Sequence, residues 1–139
     1  MIEQTFIIIK PDAIRRGLVG KIISRFEDMG LAIERIEERC KNESWCHQHY
    51  CKINDESIYN HIRAFMVNYP LIGIVLIGDN AVERVRKRIG STNALQAAPG
   101  TIRGDWGKYG GPFNLVHASD SLKNSNREIE LYFNRETDQ

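Results

Sequence analysis

The chain has no long apolar run, almost no net charge and only three cysteines, and each of these absences excludes a class of protein. The longest apolar stretch, residues 71–77, is far too short to span a bilayer. With a formal net charge of +1, no strong field attracts nucleic acid or an anionic membrane, so any bound anion needs a local cluster of cations. The odd cysteine count favours reduced thiols over a disulfide framework.

Targeting and linker signals are also missing. Residues 1–4 have neither a basic start nor a long apolar segment, so we expect no signal peptide and a cytoplasmic protein. There is no repeat, no low-complexity tract and no linker-like stretch. With 139 residues, 42% of them apolar and 27% charged, the sequence predicts a single globular domain over residues 1–139.

Strand and helix patterns alternate along the chain. Short β-branched or wholly apolar runs predict strands at residues 5–9, 71–77 and 114–117. Residues 31–38 do not alternate cleanly, and we expect a strand there because a helix cap at Gly30 precedes them. Helical spacing of apolar side chains predicts helices between them, with capping residues at Ser44, Asp55 and Asp79 or Asn80. This order predicts an α+β domain with a mostly antiparallel sheet covered by helices, although the order alone also fits a parallel sheet.

Periodicity disappears between residues 91 and 113. Five glycines and two prolines fall in this segment, and a structureless loop of that length inside a compact domain is usually functional. Glycines let the backbone approach an anion closely, and Arg103 offers a guanidinium that matches phosphate oxygens. No phosphate-binding loop of the G-x-x-x-x-G-K-[ST] type and no G-x-G-x-x-G element is present.

His117 is the strongest candidate for chemistry because it ends an apolar strand and opens onto a polar turn. A nucleophilic histidine needs one ring nitrogen free and the other held by an acceptor, and Glu128 is a candidate acceptor. A structural role for His117 and a simple helix-stabilising role for Glu128 stay open on pattern alone. His61, in the middle of a predicted helix, reads as a surface or rim histidine.

Two further cations stand at edges of the predicted core. Arg86 lies about 40° from Val82 on its helix, so it either extends along the apolar rim or binds an anion in a cleft. Lys10 follows the first strand directly. A zinc site in residues 46–51 is the competing idea, but only Cys46 and His49 share a helical face, which favours a plain amphipathic helix.

Several motifs, in one order, resemble those of the nucleoside diphosphate kinase family, and the resemblance runs from about residue 5 to residue 133. They are Ile9-Lys10-Pro11-Asp12, Arg16-Gly17-Leu18-Val19-Gly20, His49-Tyr50, Pro99-Gly100-Thr101-Ile102-Arg103-Gly104-Asp105 and Asn114-Leu115-Val116-His117-Ala118-Ser119-Asp120-Ser121, with Glu128 following. The resemblance implies a ferredoxin-like βαββαβ core with a four-stranded antiparallel sheet. It also implies ping-pong transfer of a γ-phosphoryl group from a nucleoside triphosphate, such as ATP or GTP, to a nucleoside diphosphate.

The resemblance also implies roles for particular residues. His117 looks like the phosphate-carrying nucleophile, Glu128 like its orienting carboxylate with Ser119 in support, and Tyr50 like a neighbour of the histidine. The implied nucleotide ligands are Lys10, Arg86, Thr92 and Arg103 for phosphate, Asn114 with Lys10 for ribose, and Ile58 for the base. Asp120 would reach Mg²⁺ through water. A homohexamer or homotetramer is implied, with neither nucleic acid nor membrane as a partner.

Four features depart from the family pattern. Ala118 replaces the usual glycine after the histidine, and Ile58 replaces a phenylalanine that stacks on the base. Ala94 replaces a proline in a loop that packs subunits, and residues 107–113 are about one residue longer than usual. None of these removes a catalytic group. The alternatives are a nucleotide-binding scaffold that has lost catalysis, and an RNA-binding ferredoxin-like module, for which the required aromatic strand motif is missing.

Overall fold

The computed structural model describes residues 1–139. Four strands and seven helices, with two short 3₁₀ turns at Ala94–Gln96 and Arg135–Thr137, follow one another along the chain. In chain order they are β1 (Ile2–Ile9), α1 (Pro11–Arg15), α2 (Val19–Glu27), β2 (Ala32–Cys40), α3 (Glu43–His49), α4 (Glu56–Met66), β3 (Pro70–Asp79), α5 (Ala81–Ile89), α6 (Ile102–Trp106), β4 (Val116–Ala118) and α7 (Leu122–Tyr132).

The four strands form one sheet in the order β2-β3-β1-β4, and every neighbouring pair is antiparallel. Ile7 of β1 lies opposite Ile74 on one side and Ala118 on the other, which fixes the register at the centre of the sheet. The α+β prediction with an antiparallel, ferredoxin-like sheet is therefore confirmed, and the parallel alternative is excluded.

Helices cover both faces of the sheet, which explains why β1 and β3 have unbroken apolar runs. On one face Ile7 and Ile9 join a core with Phe26 of α2 and Val85 of α5. On the other face Phe6 and Ile8 join a second core, built with Trp45, Met66 and Tyr132 from α3, α4 and α7. Since successive side chains of a strand alternate between faces, two cores require apolar residues at every position.

Two predicted details of helix capping are wrong or incomplete. The α3 helix is capped by Asn42, whose side-chain oxygen accepts from the Trp45 amide at 2.9 Å, and not by Ser44. Starting the helix there turns Trp45 and Cys46 into the core. Asp55 does cap α4, as predicted, by accepting from the Ile58 amide at 3.0 Å. Asn80 precedes α5 without a side-chain capping bond.

The segment from 91 to 113 is not structureless. It contains a 3₁₀ turn and the five-residue helix α6, which begins after Thr101. One helical turn is too short to leave a periodic signal, so the pattern could not reveal it. Separately, no helix of the structure combines the length and apolarity that crossing a membrane requires.

Candidate active site

A cleft of about 510 Å³ opens beside β4, between the α3–α4 region and the segment 91–113. Its walls carry every predicted site residue except Ser119. These residues are Lys10, Tyr50, Ile58, Arg86, Thr92, Arg103, Asn114, His117, Asp120 and Glu128. Residues more than a hundred positions apart in sequence thus meet because β1 and β4 are neighbours in the sheet.

His117 lies at the centre of β4, opposite Ile8 of β1. Its Nε2 atom is 2.8 Å from Oε1 of Glu128, whereas Nδ1 has no hydrogen-bond partner. Glu128 is buried on α7, and Ser119 donates from Oγ to the same carboxylate oxygen at 2.6 Å. Ser119 is itself fully buried and lies behind Glu128, which is why it does not reach the cleft.

The histidine is also packed by α3. The ring of His49 is 4.6 Å from that of His117, edge to face, and it stacks on Trp45 at 4.9 Å. Burial, and then the nearby His117, hold the pKa of His49 well below its ordinary value. Burial likewise raises the pKa of the neighbouring Tyr50 hydroxyl. No local sequence pattern indicates a role for His49 beside His117, because only the fold brings the two rings together.

Lys10 and Arg103 form a buried cationic floor. Burial, with Arg103 adding repulsion, lowers the pKa of Lys10 to about 7. Arg103 donates to the carbonyl oxygens of Asn114, Gly90 and Val116 at 3.1, 3.0 and 2.6 Å. Burial, and then Arg86, lowers its pKa to about 10. Neither cation forms a salt bridge, and the nearby Asp12 offsets only part of the effect of burial on Lys10, so the site gains from binding an anion.

Asn114 links the two sides of the cleft. Its Oδ1 atom accepts from Nζ of Lys10 at 2.8 Å, and its Nδ2 group donates to the Thr92 carbonyl at 2.8 Å. Arg86 approaches from α5 and donates to the Ala118 carbonyl at 3.2 Å. Lys10, directly after β1, is thereby held around the same space as the helix α5 and the segment 91–113.

Leu115, between Asn114 and β4, adopts a left-handed backbone with φ of +75°. The Val116 amide donates to the Asn114 carbonyl at 2.9 Å, which makes a tight three-residue turn centred on Leu115. A left-handed backbone is strained for a branched residue such as leucine. Burial of the Leu115 side chain stabilises this conformation, as does the Asp12 carboxylate, which accepts from the Leu115 amide at 3.2 Å. This turn shortens the predicted strand 114–117 at its start.

Ala118 fits without strain. It lies in β4, its φ is outside the left-handed region, and it is buried in the core beneath the sheet. The extra methyl relative to glycine therefore costs no backbone energy at this position. Ala94 is similarly buried, at the start of the 3₁₀ turn.

Two groups of side chains bear on metal binding. Asp120 is exposed at the cleft, and a hydrogen bond from Asn124 at 2.6 Å keeps its pKa below the ordinary value. One carboxylate suits Mg²⁺, which prefers oxygen ligands and retains several waters. Donor atoms of His49, His117 and Glu128 lie within 4.8 Å of one another, but Lys10 and Arg127 close by disfavour a cation there. The cysteines of the α3 region form no ligand set.

The cleft has a cationic floor and a histidine held at one ring nitrogen. This arrangement suits phosphoryl transfer, in which positively charged groups placed around the transferring phosphoryl group provide most of the catalysis. On this α+β sheet, the arrangement defines the class of phosphotransferases that act on nucleotides. The family model described as "Nucleoside diphosphate kinase" matches residues 3–137. The chain belongs to the nucleoside diphosphate kinase family, whose members use nucleotides with a divalent metal ion.

Similar proteins agree in sequence and in structure. A nucleoside diphosphate kinase of Nocardioides sp. is 45% identical over 130 residues, covering 94% of this chain and 96% of the relative. One from Methanococcus maripaludis is 40% identical over 133 residues, covering 96% and 99%. The Borrelia burgdorferi enzyme was solved as a transition-state mimic with vanadate and ADP. It is 33% identical with a TM-score of 0.90, and the match covers 99% of this chain and 90% of that enzyme. A Halobacterium salinarum enzyme in complex with CDP has a TM-score of 0.90 at 36% identity, with 100% and 92% coverage.

Proposed function

We propose that this chain carries out the family's phosphoryl transfer between nucleotides in two steps, through a phosphohistidine on His117. In the first step Nδ1 attacks the γ-phosphorus of a nucleoside triphosphate, and the nucleoside diphosphate leaves with the bonding electrons. In the second step a different nucleoside diphosphate takes the phosphoryl group from Nδ1. The observation that carries this proposal is the bond from Nε2 to Glu128, because it leaves Nδ1 as the free nitrogen.

Glu128 and Ser119 are proposed to position the nucleophile. A carboxylate that accepts from Nε2–H fixes the tautomer in which Nδ1 carries the lone pair. It also stabilises the positive charge that the ring acquires when Nδ1 is phosphorylated. Ser119 and the Glu128 carboxylate form a short, buried pair, so the histidine ring is held before substrate arrives. The ring of His49 packs edge to face on that of His117 at 4.6 Å and limits its rotation, and Tyr50 packs on His49 in turn.

The cations are proposed to hold the phosphates. Lys10, Arg86 and Arg103, with the hydroxyl of Thr92, line the cleft around His117 and would balance the charge of the transferring group. Asn114 and Lys10 would contact ribose, and Ile58, half exposed on α4, would pack on the base. These contacts are made mainly to ribose and phosphate, so we expect broad acceptance of bases.

The proposed metal ion is Mg²⁺. It would neutralise phosphate charge and polarise the transferring group. The fit rests on Asp120, a single exposed carboxylate on the cleft wall, which would hold the ion through water while the nucleotide phosphates supply direct ligands. No second carboxylate is free nearby, because Glu128 is bonded to His117.

We also propose that residues 1–139 act as one domain that assembles into a homohexamer or a homotetramer. The support is the edge strand β2, nine residues long with an exposed Ile36, which presents unpaired backbone and apolar surface. A cytoplasmic location, and the absence of nucleic-acid and membrane partners, stay predictions from composition.

The test is incubation of the pure protein with γ-³²P-labelled ATP and Mg²⁺. We expect acid-labile, base-stable label on the wild type, chased off by GDP or UDP, and no label on His117→Ala. His47→Ala, at an exposed histidine of α3 outside the cleft, is the matched control and should label normally. An unlabelled wild type that still binds nucleotide would favour the scaffold alternative.

A further inference from the structure

The two ends of the cleft differ in chemistry. The inner end carries His117 and the buried cations Lys10 and Arg103. The outer end is lined by apolar side chains of α4 and the loop before it, namely Ile53, Ile58 and Ile62. If the phosphates of a nucleotide lie at the cationic end, as the proposed function requires, its base lies at the outer end.

His61 is the aromatic side chain of this outer end. It follows Ile58 by three residues on α4, so helical geometry places it beside Ile58, and both line the cleft together with Ile62. The side chain is exposed and makes no hydrogen bond, ion pair or aromatic contact within the chain. His47, also exposed, differs, because its ring packs edge to face on Tyr59 at 5.8 Å and lies outside the cleft.

Ile58 provides only part of the contacts that commonly bind a nucleotide base. It is 53% exposed and offers apolar surface to a base, but it has no π face for stacking. Imidazole is one of the side chains on which nucleic-acid bases stack, and its nitrogens can also bond to the polar edge of a base. An unpaired imidazole one helical turn from Ile58 supplies both missing interactions.

We propose that His61 is a base-contacting residue, which stacks on the base of the bound nucleotide and takes the aromatic role that Ile58 cannot fill. The ligand class is a nucleoside diphosphate or triphosphate with any base, because stacking uses the π face that every base has. Since α4 forms one wall of the cleft, the contact also ties the outer end of the nucleotide to that helix.

The test is calorimetric binding of ADP, GDP and CDP, each compared with ribose 5-diphosphate, which keeps the sugar and phosphates but has no base. For His61→Ala we expect the Kd of all three nucleotides to rise about five-fold, the low end of measured stacking effects, with the Kd of ribose 5-diphosphate unchanged. His61→Phe should restore nucleotide affinity, whereas His61→Gln, which keeps polar contacts without a ring, should not.

Asn60→Ala is the matched control, because Asn60 is the exposed neighbour on the same helix turn and does not line the cleft. The proposal is overturned if His61→Ala binds ADP as the wild type does, or loses affinity for ribose 5-diphosphate to the same extent. Labelling of the wild type at His117 is read separately. A labelled enzyme with no His61 effect refutes only the base contact, whereas a base effect without labelling refutes only the phosphohistidine route.

Discussion

At the scale of single residues, the electrostatics of the cleft depend on which charged side chains have a partner of opposite charge. His117 and Glu128 are hydrogen-bonded to each other, while Lys10 and Arg103 donate to carbonyl and amide oxygens and form no salt bridge. Asp12 is the one carboxylate that acts on Lys10, and its effect is smaller than that of burial. The pKa values of Lys10 and Arg103 fall because burial penalises the charged form. A bound phosphate would reverse that penalty, so the energy lost in burying these cations is recovered on binding.

Lys10 predicts a pH dependence of nucleotide affinity. Its pKa in the free protein is lowered to about 7, so the charged form that binds phosphate is lost as pH rises through that value. We expect the Kd of ADP to rise between pH 7 and 9, by at most about ten-fold per pH unit for one proton. Arg103, with a pKa of about 10, stays charged in this window.

Calorimetric titration of ADP at several pH values measures the effect. Lys10→Met should bind more weakly than wild type at pH 7, and its affinity should be nearly independent of pH up to pH 9. Wild-type affinity that does not change over this range would show that Lys10 keeps its proton in the free protein.

At the scale of elements, the short helix α6 carries Arg103 to the cleft. Thr101 caps it, accepting from the Gly104 amide at 3.0 Å and donating to the Ala98 carbonyl at 2.6 Å. Gly104 is packed against the same carbonyl, and a Cβ atom there would lie 1.9 Å from the Ala98 oxygen. Gly104 is therefore required because two backbone segments approach each other closely there, and not because its φ is positive.

This close approach predicts opposite effects for two identical substitutions. Gly104→Ala must displace α6 or the backbone at Ala98, so we expect a loss of about 1–3 kcal/mol in the free energy of unfolding and weaker ADP binding through Arg103. Gly20→Ala lies in α2 with no atom within 4 Å of the new methyl, and should stabilise by about 0.5–1 kcal/mol. Urea unfolding of both variants measures this, and equal effects would refute the packing argument.

At the scale of the whole molecule, the sheet ends in two unequal edges. On one edge β4 has three residues, and on the other β2 has nine. Ile36 of β2 is 45% exposed, which is unusual for an isoleucine in a strand. A long edge with an exposed apolar side chain is where a second copy can pair.

Ile36→Lys is accordingly expected to lower the mass of the assembly, since a buried charge at a subunit contact is unfavourable. Light scattering after size exclusion should give a multiple of 16.0 kDa for the wild type and a smaller multiple for the variant. Leu122→Lys, at an exposed leucine on α7 away from β2, should leave the mass unchanged. An unaltered mass for Ile36→Lys would exclude β2 as a contact.

Local sequence patterns were enough to give the positions of the four strands and of the helices α2, α3, α4, α5 and α7, and to mark His117, Glu128, Lys10, Arg86 and Arg103 as candidate site residues. Apolar periodicity records burial locally, and the rim position of Arg86 is a local fact of the same kind. The expected end of the strand at His117 is wrong by one residue, because β4 continues to Ala118. The resemblance of the 99–105 and 114–121 motifs added the implied roles.

How these residues come together depends on contacts between segments that are distant in the chain. The contact of His49 with His117, the lowered pKa of Lys10, the positive φ of Leu115 and the bridge that Asn114 makes to Thr92 left no trace in any local pattern. The short helix α6 was missed because one turn shows no period. Each of these features depends on groups distant in the chain, and their geometry is set when β4 pairs with β1 and the helices pack on the sheet.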